Sequence, residues 1–545
     1  MTNRRPTVWI ALSVFIISSG SCGRDGDTPG YIGRVRPPSS PVLRVASGED
    51  PAGLDPTRYH SQDAWRVARM LFEGLLTFTS EGRAVPGVAG SWSSSADGMV
   101  YTFHIRPDAM WSDGNRVTAG DFIFSWRRTL DPRFGSEAAE TLYPIMGART
   151  INEGDAEPGT LGAVAVSETE LVVELEYPDP EFPTRTALPP LFPIPEHVVE
   201  KDYLNWPRGG PPVCNGPFVL QRWRLDDRLT AVRSGTYWNR ASIELERVVF
   251  YPITDEATTM NLYRAGEIDW TTANTIPVDQ ARELLRTGSS EVRVSSVYAT
   301  YYLELNTARE PLNDPGVRRA LELTIPREDI AGLIFGTGHR PARVLVVTDL
   351  PDWTPPAVEA SDPDRAKRLL AEAGYPGGDG MPELTYLYNA GGPHGDVAEY
   401  LQGVWRRELG IRTEPVPMDF PSMEERAGRG DFSILRSIWL ADLPNPIEFL
   451  EVFEEGNPNN LTGWTEPEYD ALLERARRTQ DRRERYDLLR RAESILLSDA
   501  PILPLLQYAN VQLIKPYVTG LQPNPLDVIG WAGIRIDTEW LPPSR

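Results

Sequence analysis

Two side chains of opposite charge stand six residues apart in an otherwise apolar run, Ile434 to Pro446 (ILRSIWLADLPNP). Arg436 is suited to a carboxylate, and Asp442 to an ammonium group. If the run stays extended, the even spacing puts both on one face, roughly 20 Å apart at about 3.3 Å per residue, and turns Trp439 to the other. A buried strand rarely carries charge unless that charge is paired. Two readings are therefore open. The charges sit at strand ends, solvated or locally paired, or they line a cleft whose ligand has a positive and a negative end.

Covalent chemistry has no comparable signal. There is no G-x-S-x-G elbow and no Gly-Lys dipeptide, so no nucleophile elbow and no phosphate-binding P-loop. The five histidines, at 60, 104, 197, 339 and 394, are isolated, and no zinc or calcium spacing occurs. Cys214 precedes Asn215-Gly216 without a cysteine-protease signature. Glu153 and Asp155 sit in a polar loop and read as solvated. A glycosidase with two distant carboxylates has no local signature, so a secreted hydrolase stays as the less favoured alternative. The expectation is a binding protein, not an enzyme, with no cofactor and no metal.

The 545 residues are too many for one core, so two or three domains are expected. A hydrophobic content of 41% and a charged content of 24% are those of a soluble globular chain. The formal charge of -22 argues against nucleic acid and anionic membrane surfaces as partners. Residues 1–21 read as a targeting segment: Arg4 and Arg5, the apolar stretch Val8 to Ile17, then Ser19-Gly20-Ser21 before Cys22. This resembles a bacterial lipoprotein signal, with Cys22 as the lipidated residue. Residues 22–41, rich in Gly, Pro and Ser, read as a flexible tether. With Cys22 lipidated, Cys214 has no disulfide partner.

The elements that must position the charged pair are legible in part. Val42 to Ala46 reads as a strand, and residues 64, 67, 68, 71 and 75 form a helical stripe. Tyr101, Phe103 and Ile105 alternate, and Thr118 with Asp121 gives a capping-box start. Pro207 to Pro212 looks like a crossing between domains. Val292 to Leu305 is a long tyrosine-rich strand. From Pro363 onward helices and strands alternate: helix 363–373, strand 384–388, helix 397–409, strand 411–416 and strand 432–440. That alternation predicts parallel strands with helices on both faces, hence α/β lobes.

Several long stretches in order, LFEGL (71–75), PGVAGSW (86–92), YTFHIRPDAMWSDGNRVTAGDFIFSW (101–126), NGPF (215–218), LYRAGEIDWTT (262–272), TYYLELN (300–306) and VRRALEL (317–323), resemble the oligopeptide-binding proteins of the ABC-transporter solute-binding family, peptide/nickel class, family 5. The resemblance runs from about Val42 to the C-terminus. It implies an α/β, two-lobed periplasmic-binding-protein type II-like fold with an extra inserted domain. Lobe I is expected at 42–76, 206–298 and 510–545, the insert at 77–205, and lobe II at 299–509.

The resemblance also implies roles. Asp442, in the Trp-x-x-Asp motif with Trp439, would meet a peptide ammonium, and Arg436 the carboxylate. His394, after the strand ending in Asn389, would serve short peptides similarly. Asn274 and Glu304 match positions lining the cleft, and Asn215 with Gly216 are candidates from the NGPF motif. Some relatives bridge two positions by a disulfide that are Ala299 and Leu440 here, so the bridge cannot form; an acidic position near the cleft is His60 here. The function implied is an extracytoplasmic, lipid-anchored, monomeric receptor that captures oligopeptides and delivers them to ABC permease subunits. The same fold with another solute, such as an oligosaccharide, a metal chelate or an antibiotic-like compound, is the alternative.

Overall fold

The computed structural model describes residue 28 and residues 30–207, 210–273 and 275–542. Cys22 and the targeting segment lie outside the described residues. The chain enters through β1 (Val42–Ser47) and α1 (Gln62–Leu71). Ser61 caps α1 by accepting from the Ala64 amide at 3.3 Å. Ala64, Val67, Ala68 and Leu71 of the expected stripe are buried on it, whereas Leu75 lies beyond the helix, which ends at Leu71.

The chain then builds a four-stranded antiparallel sheet from β2 (Ala89–Ser94), β3 (Val100–Ile105), β4 (Ala163–Ser167) and β5 (Glu170–Glu174), in the order β2-β3-β5-β4. Tyr101, Phe103 and Ile105 of β3 are buried. Each such ring or branched side chain contributes about 1.5–3 kcal/mol on burial. Helix α2 (Ala119–Thr129) lies between β3 and β4 in the chain, and Thr118 and Asp121 cap it reciprocally. This sheet stands apart from the sheet that contains β1.

The chain returns with β6 (Phe218–Arg224), β7 (Arg228–Arg233), β8 (Arg247–Pro252) and β9 (Trp270–Thr271), giving the lobe I sheet β9-β1-β8-β7-β6. After α3 (Val278–Thr287), the 14-residue strand β10 (Val292–Leu305) crosses into lobe II. There follow β11 (Arg340–Pro341), α4 (Pro363–Glu372), β12 (Leu384–Asn389), α5 (His394–Leu409), β13 (Thr413–Met418), β14 (Ile434–Leu440) and β15 (Ile502–Leu513). The lobe II sheet runs β11-β15-β10-β14-β12-β13. Gly410 ends α5 with φ 72°, and a Cβ there would lie 2.0 Å from the Gly377 carbonyl oxygen, so only glycine fits.

The expectation of parallel strands holds for part of each lobe. β1 pairs in parallel with β8 and β9, and β12 with β13 and β14. β10 pairs antiparallel with both β14 and β15, and β8 with β7. For β10 and β15 the physical reason is the crossing itself, since β10 carries the chain into lobe II and β15 carries it back; β7 and β8 instead follow one another within lobe I with no α-helix between them. The pairing of β10 with β15 is interrupted between Ser296 and Thr300. Beyond the break, the Leu513 amide bonds Thr271 Oγ1 and Trp270 Nε1 bonds Gln512, so β15 ends on lobe I.

Candidate ligand-binding site

β14 is central to the site because its register with β10 decides which side chains share a face. Arg436 stands opposite Leu303, and Leu435 opposite Glu304. By alternation, Arg436 shares its face with Tyr301, while Glu304, Ser437 and Trp439 occupy the other. Ala299 stands opposite Leu440 with no thiol at either position.

Arg436 is buried. Its Nη2 donates to Tyr508 Oη at 3.1 Å, and its guanidinium lies 4.9 Å from the centre of the Tyr301 ring. Its Nε is buried without a hydrogen-bond partner. Among the described residues no carboxylate lies within ion-pair distance of it. His394 opens α5 beside it, with its ring 5.6 Å from that of Tyr301 and its Nδ1 buried and unpartnered. Burial first, and then the Arg436 charge, pull His394 down to about 3, so its ring is neutral at physiological pH. A second, half-buried ring, His339, lies 5.1 Å from Tyr508 and is pulled down to about 4 by desolvation. A buried cation beside neutral hydrogen-bonding rings, with no internal counter-charge, is a receptor for an anion.

Asp442 is placed differently from the extended-run expectation. β14 stops at Leu440, and the Ala441 amide turns to the Tyr298 carbonyl at 2.8 Å. Pro444 and Pro446 cannot continue a ladder, so the chain leaves the sheet and carries Asp442 toward lobe I. There Asp442 Oδ2 lies 3.3 Å from His60 Nε2. Trp439 is half-buried against the large core, with Nε1 unpartnered.

The other expected site residues divide. Glu304 is buried and accepts from Ser437 Oγ at 2.5 Å, with Oε2 unpartnered. Burial pushes its carboxyl up to about 7, against the Ser437 hydrogen bond. It faces away from Arg436, so the two do not line one surface of the sheet. Asn389 ends β12 on the Glu304 face by alternation from Leu387, with Oδ1 buried and unpartnered. Asn274 lies outside the described residues.

Asn215 and Gly216 stand at the end of α1. Asn215 Oδ1 accepts from the Glu73 amide at 3.1 Å and its Nδ2 donates to the Glu73 carbonyl at 2.9 Å. The Gly216 amide bonds the Leu71 carbonyl at 2.8 Å, and a Cβ on Gly216 would lie 2.5 Å from that carbonyl carbon. Both residues clamp the end of α1. Cys214 is buried and free, and burial pushes its thiol up to about 12, which removes it as a nucleophile.

Tyr301 and Tyr508 as site groups were not visible in the motifs, whereas His60 was marked by the resemblance as a position near the cleft, without its partner. Tyr508 lies 72 residues from the arginine it meets, and only the β10–β15 pairing brings it there. Contacts join the parts elsewhere too. Arg185, between β5 and β6, lies 3.3 Å from Glu448 beyond β14, and Arg282 of α3 donates to the Phe335 carbonyl at 2.9 Å. Among the described residues no group of His, Cys, Asp or Glu is placed to hold a metal, and no helix is long and apolar enough to cross a membrane.

Two lobes joined by a pair of long antiparallel strands, with an inserted sheet on the first, define a two-lobed solute-binding protein. The family model for bacterial extracellular solute-binding proteins, family 5, matches residues 83–460. The chain belongs to that family. It is 34% identical over 491 residues to the periplasmic oligopeptide-binding protein OppA of Escherichia coli K12, covering 88% of this chain and 90% of that one. The structure of the Escherichia coli murein tripeptide binding protein MppA superimposes with a TM-score of 0.79 at 32% identity, over 92% of this chain and 99% of that one. The probable deoxycholate-binding periplasmic protein YgiS of Escherichia coli K12 is 32% identical over 499 residues, covering 90% and 92% of the two chains.

Proposed function

We propose that this chain is an extracytoplasmic receptor that binds oligopeptides between its lobes and hands them to the permease of an ABC importer. It acts as a monomer, tethered to a membrane by a lipid on Cys22. Lobe I comprises 42–76, 206–298 and 510–545, the insert 77–205, and lobe II 299–509; the interrupted β10–β15 pairing between Ser296 and Thr300 supports the placing of the crossing. The observation that carries the reading is Arg436: a buried guanidinium with no carboxylate of its own, beside the unpartnered Nδ1 of a neutral His394. Arg436 takes the peptide carboxylate, His394 donates or accepts beside it, and Asp442 takes the ammonium. Strand edges satisfy the peptide backbone whatever its side chains, and lobe closure presents the loaded form to the permease. No bond in the ligand is made or broken.

A second reading has a specific observation in its favour. Asp442 is already matched to His60, so a ligand carrying only a carboxylate would leave no charge unanswered. Native mass spectrometry of the protein purified from its own envelope separates the two. Co-purifying oligopeptides support the first reading. A steroid-like or other monocarboxylate without an amine supports the second and overturns the first.

A further inference from the structure

The contact between His60 and Asp442 joins two separately supported groups. His60 lies between β1 and α1 in lobe I. Its ring stacks on Trp65 at 4.8 Å and 17°, and Trp65 Nε1 is fixed by the Tyr59 carbonyl at 2.8 Å. The His60 amide donates to Glu137 Oε2 at 3.2 Å. Lobe I therefore holds the imidazole, and lobe II presents the carboxylate. Both side chains keep an open side, with relative exposures of 37% for His60 and 21% for Asp442.

The charged groups facing the pair come from every neighbouring element. Arg69 of α1 lies over the Trp65 and Phe78 rings and within electrostatic reach of Asp442. Glu137 and Glu140 approach His60 from the insert. Glu448, held by Arg185, lies behind Asp442.

An ammonium ion brings three donors and one charge. Asp442 offers two acceptor oxygens, and a neutral His60 offers the lone pair on Nε2. With His60 neutral, the two lobes make one acceptor set. With His60 protonated, Nε2 donates to Asp442 and a second cation stands where the ligand's amine must go. We propose that His60 is a specificity-determining residue for the amine end of the ligand: as a neutral base it accepts from the ammonium, and as a cation it competes with that ammonium for Asp442, so that capture of an amine-bearing ligand expels a proton. The inference rests on the peptide reading above. The Asp442 hydrogen bond first, opposed by burial and aided by the charges of Asp442, Glu140 and Glu137, holds the imidazole above its ordinary range, so the competition reaches to higher pH than for a free imidazole. The proton balance is simple: the ammonium enters with its charge, and the imidazolium gives up one proton to buffer.

Titration calorimetry with trialanine, tetraalanine and their N-acetylated forms tests this on the full chain and on His60→Gln. The window is pH 5 to 7, where a peptide amine (pKa about 7.7–8.0) stays charged and its carboxyl stays ionised. Two buffers of different ionisation enthalpy report the protons released. The wild type should tighten with rising pH by up to about tenfold per unit, releasing close to one proton per peptide. The His60→Gln protein should bind the same peptides with a flat profile, and acetylated peptides should show no proton release with either. In parallel, the His60 Cε1–H resonance should titrate at lower pH with peptide bound than without. A wild-type profile as flat as that of His60→Gln, a variant that keeps the wild-type slope, or an unmoved His60 titration overturns the inference while leaving the peptide reading standing. No binding of any peptide at any pH overturns the peptide reading, and the inference with it.

Discussion

The two charged ends of the site are built on opposite plans. The cationic end lies within lobe II, where Arg436, Tyr301, Tyr508 and His394 pack together in the absence of any partner acid. The anionic end is shared: Asp442 comes from lobe II and the ring that meets it from lobe I. The first is centred on a buried guanidinium and electrostatically incomplete among the described residues. The second is half-open, complete only across the cleft, and already matched. A buried charge without a counter-charge costs free energy that a ligand can return; a pre-matched charge returns less, because the ligand must displace or share its partner. The carboxylate end of a ligand should therefore carry more affinity, and the amine end more of the coupling to lobe closure.

The largest expected effect follows from that contrast. Arg436→Met should weaken peptide binding by about 2–5 kcal/mol, because it removes the only charge answering the ligand carboxylate. Its unfolding free energy should fall by no more than about 1 kcal/mol, since the change also removes an uncompensated buried charge. Calorimetry and denaturant unfolding on the same preparation check both. A parallel loss of stability and affinity would mean that the arginine is structural.

Asp442→Asn should cost less, about 1.5–3 kcal/mol of affinity, the range for one charged hydrogen-bonding group. A loss as large as that of Arg436→Met would break the asymmetry. Asn215→Ala sharpens it from outside the site: affinity should hold while stability drops by about 1–3 kcal/mol, because the Glu73 amide and carbonyl lose their buried partner.

The smallest expected effect concerns the face of β10 opposite to Arg436. Glu304 titrates at about 7 in the fold, above the ordinary 4.5 of an unfolded glutamate, because burial disfavours its charge. Raised in this way, it contributes stability that is full below about pH 4.5 and is lost as pH rises toward 7. Glu73, pushed up to about 7, and Glu493, pushed up to about 8 by burial, act in the same direction. The wild type should therefore lose thermal stability between pH 5 and 8. Glu304→Gln should show a shallower loss, the difference being on the order of 1–2 kcal/mol. Equal slopes in both proteins would place the Glu304 carboxylate in a wetter setting than its burial indicates.

Local rules made much of the fold legible. Thr118 and Asp121 marked a helix start, the 101–105 alternation marked a half-buried strand, and 292–305 stood out as one long strand; each is found there. The direction of pairing was not legible, because alternating elements predict parallel strands only where a helix carries the chain back to the same edge, and β7 and β8 of lobe I pair antiparallel without one. β10 and β15 cross between lobes, and nothing local announces a crossing. At the site, the charges of Arg436 and Asp442 were visible as an anomaly in an apolar run. Tyr508 was not, since it reaches Arg436 through a pairing spanning 72 residues; His60 was marked as a position near the cleft, but its pairing with Asp442 across two lobes was not. Asn215 and Gly216 show the converse. A motif marked them, but the motif records a backbone clamp on α1.

The most direct test compares one peptide in three forms, free, N-acetylated and C-amidated, by titration calorimetry against the wild-type protein at pH 7. Both modifications should weaken binding, and amidation should weaken it more, because it removes the charge that answers Arg436. An amidated peptide that binds as tightly as the free one would contradict the account, since the buried guanidinium would then be meeting something other than the ligand's carboxylate.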